Sequence, residues 1–193
     1  MMKLGVATNN QQKLSEVQDL LPPKIEVVTL KDIQCNEDIE ETAETLEGNA
    51  KIKSDHVKSN YGYDCFADDT GLEVEALNGA PGVYSARYAG EEATFDDNVQ
   101  KLLSAMKGVE NRKARFRTVI SLYLDGKQLF FEGICDGFIE EAVSGTQGFG
   151  YDPVFRPNGS VKTFAEMDLN EKGLISHRGL AVKKLVEYLK DQL

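Results

Sequence analysis

Apolar residues along this chain fall into two rhythms: short unbroken runs, and runs with helical spacing. Leu4 to Ala7 form an unbroken run leading into Thr8-Asn9-Asn10, the profile of a buried strand. Leu14, Val17, Leu20 and Leu21 then recur at helical spacing until Pro22-Pro23 stops the helix. Residues 25–29 read as a second strand. Thr45 to about Asn60 reads as a helix with a thin apolar stripe of Leu46, Ala50 and Val57. Residues 65–67 and 72–77 read as two further strands. Between them Asp68-Asp69-Thr70-Gly71 is expected to turn, and Asn78-Gly79 signals a hairpin.

The clearest helix opens at Thr94, three before Asp97, in a capping-box arrangement. Phe95, Val99, Leu102, Leu103 and Met106 share one face. Residues 116–124, rich in β-branched and aromatic side chains, turn at Asp125-Gly126 into a strand over about 128–139. A last helix from about Ser176 to the end carries Val182, Leu185, Val186, Leu189 and Leu193. Short hairpins and helical crossovers together predict an α/β fold with a mixed sheet flanked by helices. No repeat, low-complexity tract or Pro/Gly/Ser linker divides the chain, so residues 1–193 are expected to form one domain.

Composition narrows the functions. The net charge of −10 disfavours binding along a nucleic-acid duplex, which depends on neutralising phosphates with Lys and Arg. No apolar run approaches the roughly 20 residues of a membrane span. Cys35, Cys65 and Cys135 are odd in number and lack a Cys-x-x-Cys pair. They predict reduced thiols in a cytoplasm, with no disulfide framework and no structural zinc. Cys35 and Cys135 read as inert, and His56, amid Lys and Ser, as a surface residue.

Four constellations stand apart from this scaffold. Thr8-Asn9-Asn10-Gln11-Gln12-Lys13 lies at a strand-to-helix junction, where free N–H groups and the helix dipole favour an anion. It lacks the Gly-x-x-x-x-Gly-Lys spacing of a Walker loop. Asp68-Asp69 is either a hard-metal site or an acid/base pair, since adjacent carboxylates repel unless a cation or a proton intervenes. Glu41 or a neighbour in the acidic run from Glu37 to Glu47 could add a third carboxylate, as Mg²⁺ takes one or two carboxylates plus phosphate oxygens. Thr146 to Pro153 sets Phe149 between two glycines and Asp152 before a proline, with Phe149 or Tyr151 as a stacking face. Lys172 with Ser176-His177-Arg178-Gly179 forms a basic cluster at a helix start, where cations disfavour the helix itself. Together the four describe a pocket for a nucleoside phosphate with Mg²⁺.

Six blocks carry a further likeness. They are Thr8-Asn9-Asn10 with Lys13; Glu47-Gly48-Asn49-Ala50; Ala67 to Leu72; Gly79 to Tyr88; Gly148 to Pro153; and Ser176 to Gly179. In this order they resemble the signature blocks of the inosine triphosphate pyrophosphatase family, and they span nearly the whole chain. The resemblance implies Mg²⁺-dependent hydrolysis of ITP, dITP and XTP to the monophosphate and pyrophosphate. It implies an elongated mixed sheet with two lobes, a cleft between them as the active site, and a homodimer. On matching positions, Thr8, Asn9, Asn10, Gln11, Gln12 and Lys13 would hold the triphosphate. Glu41 and Asp69 would bind Mg²⁺, Asp69 would also take the proton of the attacking water, and Thr70 would touch the phosphates. Phe149, Gly150, Tyr151 and Asp152, with Lys172, His177 and Arg178, would recognise the base. Two positions depart from the family pattern: Asn9 stands where many relatives have Gly, and Tyr151 where some have Trp.

Two other readings fit the same residues. One is a purine-nucleotide-binding module without catalysis; the other is a pyrophosphatase of a standard or modified nucleotide. The sequence assigns no role to Asp68 and no element that would reject GTP.

Overall fold

The structure is a computed structural model describing residues 2–192; Leu193, expected on the last helical stripe, lies outside them. In chain order the elements are strand β1 (Met2–Val6), helix α1 (Gln11–Gln18), β2 (Ile25–Thr29), α2 (Leu46–Tyr61), β3 (Cys65–Val74), β4 (Pro81–Gly82), α3 (Phe95–Ala105), β5 (Lys113–Leu124), β6 (Lys127–Ile139), β7 (Phe155–Pro157), α4 (Leu169–Ile175) and α5 (His177–Lys190). Among the described residues these strands form one seven-stranded sheet in the order β2-β1-β3-β5-β6-β7, with β4 pairing β3. The expected mixed α/β architecture is therefore what forms. No described helix is long and apolar enough to cross a membrane.

The chain divides into two compact units. The first holds residues up to Asp69, with 118–133 and 178–193; the second holds 70–117 and 134–177. In the first, β1 pairs β2 in parallel from Met2↔Ile25 to Val6↔Thr29, and pairs β3 in parallel at Gly5↔Cys65 and Val6↔Phe66. Parallel neighbours need a crossover, which α1 supplies between β1 and β2. The apolar faces of the two terminal helices meet this sheet: Leu14 and Val17 of α1, and Val182, Leu185 and Leu189 of α5, pack with Leu4, Val6, Phe66, Ile120 and Leu122. Each such fully buried side chain stabilises the fold by roughly 1.5–3 kcal/mol. Helix α1 ends at Gln18, short of Leu20 and Leu21, which still pack against this core from the turn that follows.

The second unit holds residues 70–74 of β3, 113–117 of β5 and 134–139 of β6. Thr94 caps α3 in the expected reciprocal arrangement with Asp97, and Val99, Leu102 and Met106 are buried against Phe116, Phe155 and Phe164. Phe95, expected on the same face, is 46% exposed. The β3–β4 hairpin forms as the sequence indicates, through Asn78 and Gly79, both with positive φ.

One expectation fails. Asp68-Asp69-Thr70-Gly71 is not a turn between two strands; all four residues lie inside the ten-residue β3. A sheet neighbour at each end holds the segment extended: β1 at Cys65 and Phe66, β4 at Leu72 and Glu73. Gly71 serves close approach rather than turning, since a Cβ there would lie 2.6 Å from the Gly82 carbonyl oxygen.

Candidate active site

In the first unit, three elements bring charged side chains to the acidic end of its β3 segment. Helix α2 contributes Lys53. Its buried residues are Leu46, Asn49, Ala50, Lys53, Ser54 and Val57, a regular helical stripe. The stripe looked thin because three of its inward positions are polar. Lys53 Nζ donates to Glu41 Oε1 at 2.6 Å and to the Asp68 carbonyl oxygen at 2.6 Å, and lies 4.0 Å from Asp69 Oδ1. Asn49 accepts the Ala43 N–H at 2.9 Å, which anchors the loop that presents Glu41. Of the acidic run, Glu41 is thus drawn inward, whereas Asp38, Glu40 and Glu44 are exposed.

Asp68 has different partners. Its Oδ2 lies 3.2 Å from Lys13 Nζ of α1 and accepts from Arg178 Nε of α5 at 3.3 Å. Arg178 Nη1 also donates to Glu16 of α1. A guanidinium that is 2% exposed needs such acids around it, because an unpaired buried charge is strongly disfavoured. Arg178, expected on the base, is engaged in this structure by Asp68 and Glu16.

The two acids consequently differ in protonation. For Asp68, burial works to raise the pKa, but Lys13, Arg178 and Lys53 together hold the carboxyl well below the usual carboxylate range. For Asp69, burial pushes the carboxyl up to about 6; Lys53 and Lys13 pull it down, while Glu41 and Asp68 add repulsion. Burial likewise depresses Lys13, and Asp68 only partly restores it. Lys53 is held above its ordinary value, because Asp69, Glu41 and Asp68 outweigh its burial.

The Thr8–Lys13 segment forms the start of α1. Asn10 caps the helix, its Oδ1 accepting the N–H groups of Gln12 and Lys13 at 3.0 and 3.1 Å, and Thr8 Oγ1 accepts the Asn10 N–H. Two of the backbone donors expected to face an anion are therefore already capped. Asn9, Gln11 and Gln12 are exposed, and Thr70 is half-buried on β3.

The second unit gathers the other group. Lys172 of α4 donates to Asp152 Oδ2 at 2.7 Å, with both side chains 4% exposed. The same oxygen accepts the Phe149 N–H at 2.9 Å, and Lys172 Nζ lies 5.1 Å from the centre of the half-buried Phe149 ring. This is a cation–π contact, with the ammonium on one side of an aromatic plane. Gly148, at φ +71°, leaves room for the arrangement: a Cβ there would lie 2.0 Å from Asp152 Oδ2. Gly150 also takes positive φ, but with open space around it. His177 stacks on Phe116 with centroids 4.4 Å apart, beside Phe164. Tyr151 is not a stacking face. Its ring is buried in the core and its hydroxyl donates to the Ser85 carbonyl at 2.7 Å, so Phe149 is the aromatic this block presents.

The structure thus groups Lys13, Glu41, Asp68, Asp69 and Arg178 in one unit, and Phe149, Asp152, Lys172 and His177 in the other. Lys53 and Glu16 escaped the sequence reading. A lysine standing at a core position of a helical stripe was the available signal for Lys53; nothing in the pattern marks Glu16.

Comparison with known proteins identifies the family. The profile of the Ham1 family matches residues 4–188. A dITP/XTP pyrophosphatase of Christiangramia forsetii is 58% identical over 188 residues, covering 97% of this chain and 99% of that protein. One from Porphyromonas gingivalis is 55% identical, covering 98% of each. The solved structure of a HAM1 protein from Coxiella burnetii superposes with a TM-score of 0.91 at 39% identity, covering 99% of this chain and all of that one. The Staphylococcus aureus Ham1 protein gives 0.90 at 38% identity, with the same coverage. Matched from its first strand to its last helix, and sharing the fold of solved Ham1 proteins, the chain belongs to the Ham1 family.

Proposed function

We propose that this protein hydrolyses non-standard purine nucleoside triphosphates, ITP, dITP and XTP, to the monophosphate and pyrophosphate. The relatives named dITP/XTP pyrophosphatase support that reading. The observation that carries it here is the Lys53 ammonium set between Glu41 and Asp69, beside an Asp68 held ionised by Lys13 and Arg178. Two carboxylates already arranged around one cation suit a hard divalent ion, which takes oxygen donors and completes its shell with phosphate oxygens and water. Glu41 and Asp69 would hold Mg²⁺, and the ion would neutralise charge developing on the phosphates.

Asp69, with its pKa raised to about 6, is the base. Near neutrality such a carboxyl is ionised enough to accept a proton, and more basic than an exposed one. Water attacks the α-phosphorus and its proton passes to Asp69. The bond to the oxygen bridging the α- and β-phosphorus breaks, and pyrophosphate leaves. Lys13, with Thr8 to Gln12 and Thr70, binds the triphosphate, and Lys53 steadies both carboxylates. Phe149, fixed by Asp152 and Lys172, stacks on the purine. Gly150, His177 and donors of the Ser176–Arg178 segment complete base recognition. Donors facing position 6 suit the oxo group of hypoxanthine or xanthine. Adenine, with an amino group there, leaves them unpaired.

Pyrophosphate release from ITP, XTP, GTP and ATP in the presence of Mg²⁺ tests the proposal. Release from ITP and XTP, at least tenfold faster than from ATP, is expected. Binding of ITP without release would favour a nucleotide-binding module, and a preference for a standard nucleotide would favour a different pyrophosphatase. A homodimer accompanies the proposal by family analogy, and a cytoplasmic location by the odd-numbered cysteines without a Cys-x-x-Cys pair.

A further inference from the structure

Apart from the acidic cluster, the first unit holds a second set of metal-ligating side chains. Cys35, Glu37 and His56 place a sulfur, a carboxylate oxygen and an imidazole nitrogen all within 4.8 Å of one another. Cys35 follows Gln34, whose positive φ of 59° bends the chain after β2, and His56 projects from α2. Glu37 Oε1 lies 3.0 Å from His56 Nε2. The surroundings orient both ligands. Tyr61 donates its hydroxyl at 2.8 Å from either oxygen of Glu37, and the Asn60 side-chain amide lies 3.1 Å from His56 Nδ1. Asn60 Nδ2 donates to Nδ1 and Nε2–H donates to Glu37, so a metal ion would take the place of the Nε2 proton between the imidazole and the carboxylate.

From this geometry we infer that Cys35, Glu37 and His56 form a binding site for a borderline-soft divalent ion, zinc in the first instance. The donor set decides the class: thiolate and imidazole select zinc over magnesium or calcium, which take oxygen. Zinc bonds of about 2.0–2.3 Å in a tetrahedron put ligand atoms roughly 3.3–3.8 Å apart; the present atoms, all within 4.8 Å, bracket that range, with Glu37 and His56 already at 3.0 Å. Binding releases the Cys35 proton to solvent, since the ligand is the thiolate. The three side chains leave a fourth position for water, and exposed Glu37 gives the ion a way in. Partners such as Tyr61 and Asn60, which hold a carboxylate and the second nitrogen of an imidazole, typically accompany metal ligands. The ion would tie the start of the loop bearing Glu41 to the helix bearing Lys53. Such an ion would revise the expectations of an inert Cys35, a surface His56 and no structural zinc. The inference stands whether or not the chain hydrolyses nucleotides.

The test uses tag-free full-length protein, stripped with chelator and kept reduced, in excess Mg²⁺. Titration with Zn²⁺ is followed by calorimetry and titration with Co²⁺ by absorption. One equivalent of Zn²⁺ is expected to bind, at least tenfold more weakly in Cys35→Ser and in His56→Gln. Co²⁺ is expected to give a thiolate-to-cobalt charge-transfer band that Cys35→Ser abolishes. The exposed substitution Glu37→Gln, which leaves the buried thiol in place, should keep the band but weaken binding. Circular dichroism reports whether each variant folds. Absence of the band from the parent protein, or Zn²⁺ affinity unchanged in Glu37→Gln and His56→Gln, would overturn the assignment.

Discussion

Asp68 and Asp69 are consecutive residues of one strand, yet they are held by different partners: Asp68 by Lys13 and Arg178, Asp69 near Lys53 and Glu41. Successive side chains of a strand leave opposite faces. The strand thus separates two carboxylates that a turn would have crowded together. One has its pKa held well below the usual carboxylate range and organises the cations; the other has its pKa raised to about 6. The role of Asp68, which the sequence leaves open, is that of a counter-ion that places Lys13 and Arg178.

The raised pKa of Asp69 makes stability depend on pH. Its folded value, about 6, lies above the ordinary carboxylate value of 3.8, so the folded state holds the proton more tightly. The stability this provides is complete below the ordinary value and is lost as pH rises through about 6. At about 1.4 kcal/mol per pKa unit, the loss approaches ~3 kcal/mol above neutrality. In chelator, Asp69→Asn should be more stable than the parent at pH 8 and similar to it near pH 4. Denaturant melts across that range check this; a gain that grows toward acid would contradict it.

Lys53 lowers the Asp69 pKa, so removing its charge should raise it. In the proposed mechanism Asp69 works ionised, so the acid limb of the kcat/KM profile of Lys53→Met is expected to move to higher pH, with a lower plateau. Lys53→Arg should move it less. A pH–rate profile with the parental limb would remove Lys53 from this role.

Lys172 and Asp152 form a buried pair whose halves depend on each other. Asp152→Ala strands an ammonium and removes the acceptor of the Phe149 N–H, at a cost of ~3–5 kcal/mol. For a chain of this size that corresponds to a melting temperature lower by roughly 6–20 °C. The double change Asp152→Ala with Lys172→Met should recover much of this stability while KM for ITP stays raised, because Phe149 is no longer fixed. Thermal melts and steady-state kinetics separate the two effects.

Glycines 148 and 150 share positive φ but differ in surroundings. Gly150→Ala meets open space and should cost only the left-handed strain, about 1–2 kcal/mol. Gly148→Ala drives a methyl group into Asp152 and should lose more stability, and ITP affinity with it. Equal melting temperatures for the two variants would argue against the crowding.

Much of this was legible beforehand because local rules and tertiary context agreed. Thr94 and Asp97 capped their helix, Asn78-Gly79 turned the chain, and residues 25–29 formed their strand as the pattern indicated. The segment at Asp68 misled because acids and a glycine usually mark a turn, whereas here sheet neighbours at each end and the cations Lys13, Arg178 and Lys53 keep it extended and buried. Lys53 was hidden by the assumption that a core stripe is apolar. Tyr151 looked like a platform because burial is not written in a motif, and its hydroxyl partner, Ser85, lies far away in sequence.

The most direct test compares Asp69→Asn with the parent enzyme, measuring ITP binding by calorimetry and pyrophosphate release under saturating Mg²⁺. Affinity for ITP within about threefold of the parent, with release slowed at least ~100-fold, is the predicted result. Release at a near-parental rate would contradict the assignment of that carboxylate as the proton acceptor.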